Sequence, residues 1–155
     1  MQTWAISPRD DGRPLRLLQL TDTHLFADPG GILYGVNTRN SLTAVIAAIK
    51  RAGERPDAIL VTGDLSQDES TTSYQILRDM LAQLEAPVFV LPGNHDDPAA
   101  LRARITGPPE GPSCVGEQVV FSVTLSTLVP GWVLTMLESV QGANDASNEI
   151  LDSQQ

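Results

Sequence analysis

An α/β fold, running strand, helix, strand, helix, strand (βαβαβ) with a mainly parallel sheet, is predicted by three observations. Short apolar runs at 15–20, 57–62 and 87–91 each end in a polar cluster. The stretches between them carry apolar residues at helical spacing. The clusters Thr21-Asp22-Thr23-His24, Gly63-Asp64 and Gly93-Asn94-His95-Asp96 each fall at a strand exit. Right-handed βαβ crossovers place those exits on one edge of the sheet, where open α/β sheets bind ligands.

Taken in order, Met1 to Pro14 mix charges and turn formers without a continuous apolar segment, so no secretory signal is expected. Leu15 to Leu20 reads as a buried strand that ends where Asp22 and His24 begin. Phe26 to Tyr34, with Pro29-Gly30-Gly31, reads as a loop. Leu42, Val45, Ile46 and Ile49 predict an amphipathic helix from about Asn40 to Arg51, with Asn40 or Ser41 as its cap. Asp57 to Thr62 is the second strand, and Tyr74, Leu77, Leu81 and Leu84 mark a helix over about 70–85. Pro87 to Leu91 is the third strand. Asp97-Pro98 then supplies an N-cap and a first-turn proline for a short helix reaching about Arg104.

The remainder is plainer. Gly107 to Pro112 reads as a loop or linker, and Gln118 to Val123 and Trp132 to Leu137 as strands. Beyond Glu138 the composition turns to Gly, Asn, Asp, Ser and Gln. Residues 138–155 are therefore expected to be a flexible tail, a loop or a short helix around Ile150. The 155 residues suit one domain.

Composition narrows the function classes. With 41% hydrophobic and 19% charged residues the chain is an ordinary soluble globular type. No apolar stretch reaches the ~20 residues that span a bilayer, so no membrane role is expected. A net charge of −9 without a basic patch argues against a nucleic-acid partner. It does not argue against a small phosphate ester, because bound divalent cations invert the local field. The single Cys114 cannot form an internal disulfide, which points to a reducing, cytoplasmic location and an incidental thiol.

The clusters carry the chemistry. Asp22 and His24 are two apart, so in extended backbone their side chains face the same way and can share one cation. Asp64 follows a glycine at its strand exit. Gly93 permits a tight turn, Asn94 offers a carbonyl oxygen, and His95 is left for proton transfer or phosphate contact. Singly, each is also a common turn pattern or a surface histidine; their concurrence on three strand exits carries the reading. Oxygen and nitrogen donors without a thiolate fit Fe, Mn, Mg, Co or Zn. Asp68 and Asp96 read as capping, turn or supporting groups rather than ligands.

In this order the motifs resemble the calcineurin-like metallophosphoesterase family, and most of all its class III cyclic nucleotide phosphodiesterases. The resemblance runs through 17–26, Asn37-Thr38, 59–68 and 91–96, covers roughly 15–105, and thins by Trp132 to Ser139. It implies an αββα sandwich, of which this chain would form the amino-terminal half, and two divalent metal ions, with Mn or an Fe-containing pair foremost. It further implies that Asp22 and His24 hold the first metal, Asp64 bridges both, and Asn94 holds the second. His95 would contact the phosphate or protonate the leaving oxygen. The implied reaction is hydrolysis of 3′,5′-cyclic AMP, a cyclic nucleotide, to 5′-AMP. Another phosphate ester and a metal-binding remnant without turnover are the alternatives.

The family completes both metals with later histidines, whereas this chain has two in total, His24 and His95. The chain is therefore expected to be half of a larger enzyme. The strands it lacks would leave an apolar face or edge that favours self-association, a homodimer included.

Overall fold

The computed structural model describes residues 13–105 and the strands at 2–6, 118–119, 122–127 and 133–137, with side chains described over 13–101. The elements are β1 (Gln2–Ile6), β2 (Leu17–Leu20), β3 (Ile32–Leu33), β4 (Val36–Asn37), α1 (Thr38–Arg51), β5 (Ala58–Thr62) and α2 (Thr71–Leu81). A 3-10 turn, Ala82–Leu84, extends α2. There follow β6 (Val88–Leu91), α3 (Pro98–Ile105), β7 (Gln118–Val119), β8 (Ser122–Thr127) and β9 (Val133–Leu137). The main sheet is ordered β2-β5-β6-β7, and every neighbouring pair is parallel. The predicted βαβαβ unit is present as β2-α1-β5-α2-β6.

The centre of this sheet explains the apolar runs. Ile59 and Val61 of β5 and Val88 and Val90 of β6 form one core with Leu42 and Ile46 of α1, Leu77 and Leu81 of α2, and Leu101 of α3. The alternate residues Ala58, Leu60, Phe89 and Leu91 are buried as well. A strand covered on both faces needs continuous hydrocarbon rather than alternation, and β5 and β6 have it. β2, at the sheet end, is different: Leu18 and Leu20 pack on the core while Leu17 and Gln19 are exposed.

Side chains set the helix starts. The Asn37 carboxamide oxygen accepts from Asn40 N at 2.9 Å, so α1 begins at Thr38, slightly ahead of the predicted start. Ser70 accepts from Ser73 N at 3.0 Å to open α2. Asp97 accepts from Ala99 N at 2.8 Å and Ala100 N at 3.3 Å, as the Asp-Pro signature predicts for α3.

Three features depart from the sequence reading. The loop predicted over Phe26 to Tyr34 contains β3, which pairs antiparallel with β4 as a hairpin. Strands of two residues are too short to show a period of two. β1, inside the stretch read as charges and turns, pairs in parallel with β8, and β8 pairs antiparallel with β9. A partner as distant as Val123 for Gln2 leaves no local mark. The single strand predicted over Gln118 to Val123 divides, β7 joining the main sheet and β8 the second. A separate three-stranded sheet, ordered β1-β8-β9, thus lies within this chain. The predicted linker, Cys114 and the 138–155 tail fall outside the described residues, among which no helix is long and apolar enough to cross a membrane.

Candidate metal centre

The loops leaving β2 and β5 stay paired after the strands end. Asp22 N donates to Gly63 O at 3.0 Å, His24 N to Asp64 O at 2.9 Å, Leu25 N to Leu65 O at 2.9 Å, and Gln67 N back to Leu25 O at 2.9 Å. The Thr23 hydroxyl adds a bond to Leu65 O at 2.9 Å. This ladder brings Asp22, His24 and Asp64 together, but not through extended backbone as predicted. All three residues sit in the left-handed region, with φ of 54°, 40° and 52°. Asp and His tolerate that region better than most residues, yet it still costs roughly 1–2 kcal/mol per residue. Strain of this kind collects where function fixes a side chain.

The three side chains place one donor atom each within 4.8 Å of one another. His24 Nε2 lies 3.8 Å from Asp22 Oδ1 and 3.9 Å from Asp64 Oδ2, beyond hydrogen-bonding distance. His24 Nδ1 is buried without a hydrogen-bond partner. The Thr21 hydroxyl donates to Asp22 Oδ2 at 2.6 Å, leaving Oδ1 as the oxygen nearer the imidazole. Two carboxylates and an imidazole that approach without bonding one another form a donor set for a hard or borderline divalent cation. These residues fit a metal ion.

The third strand exit packs onto this cluster through glycine. A Cβ built on Gly93 would overlap the amide nitrogen and a carboxylate oxygen of Asp64, and one built on Gly63 would come within 3.0 Å of Gly93 Cα. Gly63, with φ of 101°, and Gly93 therefore let two strand exits touch. His95 N donates to Asp64 Oδ1 at 3.1 Å, and the His95 ring stands 5.4 Å from the His24 ring, edge to face. Asn94 and His95 are exposed on the same turn. The structure thus gathers Asp22, His24 and Asp64 into one group, sets His95 against it, and leaves Asn94 beside it.

Asp96 holds the second and third exits in register. Its buried carboxylate accepts from Leu65 N at 3.1 Å, Ser66 N at 3.0 Å, Gly93 N at 2.7 Å and the Tyr74 hydroxyl at 3.2 Å. That is the supporting part predicted for it. Asp68 accepts from Ala27 N at 2.7 Å, Ser70 N at 3.1 Å and the Ser66 hydroxyl at 3.1 Å. Desolvation would raise its pKa, but these donors, with Ala27 N first, outweigh it and hold the carboxyl at about 2 against an ordinary 3.8. A depressed carboxyl stabilises the fold above its ordinary pKa and loses that contribution as pH falls from 3.8 through about 2. Asp68→Asn is expected to lower the melting temperature at pH 7, with the difference from the native chain closing below about pH 4. Thermal denaturation across pH checks this; a gap unchanged at low pH would show that charge is not involved.

Two supporting residues escaped the sequence reading. By sequence Tyr74 reads only as a member of the apolar stripe, yet its hydroxyl joins Asp96 to Asp97 N, from which it accepts at 2.8 Å. Burial raises the phenol's pKa, and the Asp96 charge raises it further. The usable signal was a tyrosine at a core position, where the hydroxyl needs a partner. Arg39, on the first turn of α1, donates to Ala27 O at 3.2 Å and Phe26 O at 3.4 Å, pinning the loop that follows His24.

A parallel sheet whose exits gather two carboxylates and an imidazole into one cluster defines an α/β protein with the donor set for a metal ion. The sequence pattern of the calcineurin-like phosphoesterases, a family that uses divalent metals, matches residues 15–142. The chain belongs to that family. It is 49% identical over 82 residues to the 3′,5′-cyclic adenosine monophosphate phosphodiesterase CpdA of Escherichia coli K12, covering 53% of this chain and 30% of that protein. To CpdA of Pseudomonas aeruginosa it is 39% identical over 140 residues, 87% of this chain and 49% of the relative. A 3′,5′-cyclic-nucleotide phosphodiesterase of Nostoc sp. is 39% identical over 83 residues, 54% of this chain and 31% of the relative. The chain spans about half the length of these relatives or less.

Proposed function

We propose that this chain carries the metal site of a phosphodiesterase acting on a cyclic nucleotide, with 3′,5′-cyclic AMP hydrolysed to 5′-AMP. The convergence of Asp22, His24 and Asp64 from two strand exits, with donor atoms within 4.8 Å and His95 alongside, carries the reading. Relatives named as cyclic nucleotide phosphodiesterases support the substrate class. In this reading Asp22 and His24 would hold one divalent ion, Asn94 would hold the second, and Asp64 would serve both. Iron and manganese are the expected metals, with Mg, Co and Zn as alternatives. Bound ions of this kind neutralise phosphoryl charge and make water more acidic.

The chain's own residues supply position and protons. Asp64 Oδ1 takes the His95 amide while Oδ2 turns toward His24, so one carboxylate serves two directions. The exposed His95 ring can give a proton to the departing alkoxide or contact the phosphate. A reducing cytoplasm, from the single cysteine, and self-association through exposed apolar surface belong to the same reading.

Metal binding without turnover is the second reading. It is favoured by a total of two histidines, both at this cluster. Mn-dependent hydrolysis of 3′,5′-cyclic AMP by the purified chain, beside Asp64→Ala, separates the two. Turnover that falls by about 10²-fold or more in the variant is the expected result. Equal turnover by both proteins would sink the first reading, and Mn binding without turnover of this or any other phosphodiester would establish the second.

A further inference from the structure

A cavity of about 310 Å³ opens beside the metal cluster, with Asp22 and His24 on one side, the hairpin residues Leu33, Tyr34 and Val36 on another, and Val45 of α1. The hairpin presents Tyr34 oddly. Its two-residue turn, Tyr34-Gly35, has φ of 48° and 82°, the double positive φ of a type I′ turn. Such turns select Asn, Asp or Gly at the first position, and a bulky aromatic there is an outlier. Burial does not repay the strain, because Tyr34 is 97% exposed. The strained residue lines a cavity shared with two metal-cluster residues, the kind of place where such strain collects.

We propose that Tyr34 stacks a nucleobase, and that the cavity takes the nucleoside part of an ester whose phosphate lies at Asp22, His24 and Asp64. This rests on the phosphoesterase reading of that cluster and adds a specificity-determining residue to it. Leu33, Val36 and Val45 give the base hydrocarbon on its edges, while Thr38 and Ser41 at the start of α1 offer hydroxyls to the sugar. Stacking tolerates any base, since each has a π-face. The site therefore separates nucleotides from esters without a base more sharply than it separates adenine from guanine.

The test compares two ligands that share a phosphate and a sugar. Calorimetric titration of the Mn-loaded chain with 5′-AMP and with ribose 5-phosphate is expected to give about tenfold tighter binding of 5′-AMP. Tyr34→Ala and Tyr34→Asn should bring 5′-AMP down to the level of ribose 5-phosphate and leave the latter unchanged, while Tyr34→Phe keeps the preference. Because asparagine suits the turn, Tyr34→Asn should melt no lower than the native chain, which excludes misfolding as the cause. A 5′-AMP preference retained in Tyr34→Ala, or equal binding of both ligands by the native chain, overturns the proposal. Binding with the expected preference but without turnover of cyclic AMP sinks the hydrolytic reading alone; binding of neither ligand overturns both.

Discussion

Asp96→Ala is expected to destabilise the chain by about 3 kcal/mol or more and to remove metal binding along with it. Asp96 is 8% exposed, and its carboxylate accepts from three backbone N–H groups, on Leu65, Ser66 and Gly93, and from the Tyr74 hydroxyl. Alanine leaves all four donors in a site that water reaches poorly, and each unsatisfied buried donor costs about 1–3 kcal/mol. The loss would not stay local. Leu65 follows Asp64 and Gly93 packs on it, so freeing both amides frees the carboxylate that the cluster needs. Urea denaturation and Mn titration of the same variant check the two halves of the expectation. A stability loss below about 1 kcal/mol would show that solvent replaces the carboxylate, and Asp96 would then be a minor support.

Gly93→Ala is expected to weaken metal binding by at least tenfold and to cost about 1–3 kcal/mol of stability, the range for overpacking a tight contact. The methyl group would overlap the amide nitrogen of Asp64 as well as its carboxylate, and an amide nitrogen cannot rotate out of the way. Either the β6 exit withdraws, taking Asn94 and His95 with it, or Asp64 is displaced from His24. Gly53→Ala is the matched control. Gly53, unlike Gly93, has a positive φ, 69°, but nothing lies within 4 Å of the added carbon, so it tests backbone strain without a clash. It should lose about 1 kcal/mol through backbone strain and keep its metal affinity. Equal effects of the two substitutions on Mn binding would refute the close-packing account.

The sequence disclosed most of the main sheet because its signals are local. Ile59, Leu60 and Val61 announce a strand buried on both faces, and Leu42, Ile46 and Ile49 announce the stripe of α1, whatever the rest of the chain does. The site residues were legible for the same reason, each standing beside an apolar run. Their backbone was not. Left-handed geometry at Asp22, His24 and Asp64 follows from the ladder between two loops, and Asp and His, though tolerant of that region, do not announce it as glycine would. β1 was hidden by the distance to its partner and the β3-β4 hairpin by its brevity. Tyr74 was hidden by doing two things at once, filling the core and holding Asp96.

The ladder that continues from β2 and β5 into the ligand loops has a consequence for how the molecule breathes. Loops that carry functional groups are ordinarily the first segments to open, because their amides face solvent. Here the amides of Asp22, His24, Leu25 and Gln67 are donors in a row of bonds continuous with the sheet. They are expected to share the cooperative unit of β2 and β5 and to open with it. At the proposed metal site an ion would then leave and return while the loops keep their shape, and the entropy of arranging the ligands would be met once, at folding, instead of at every exchange.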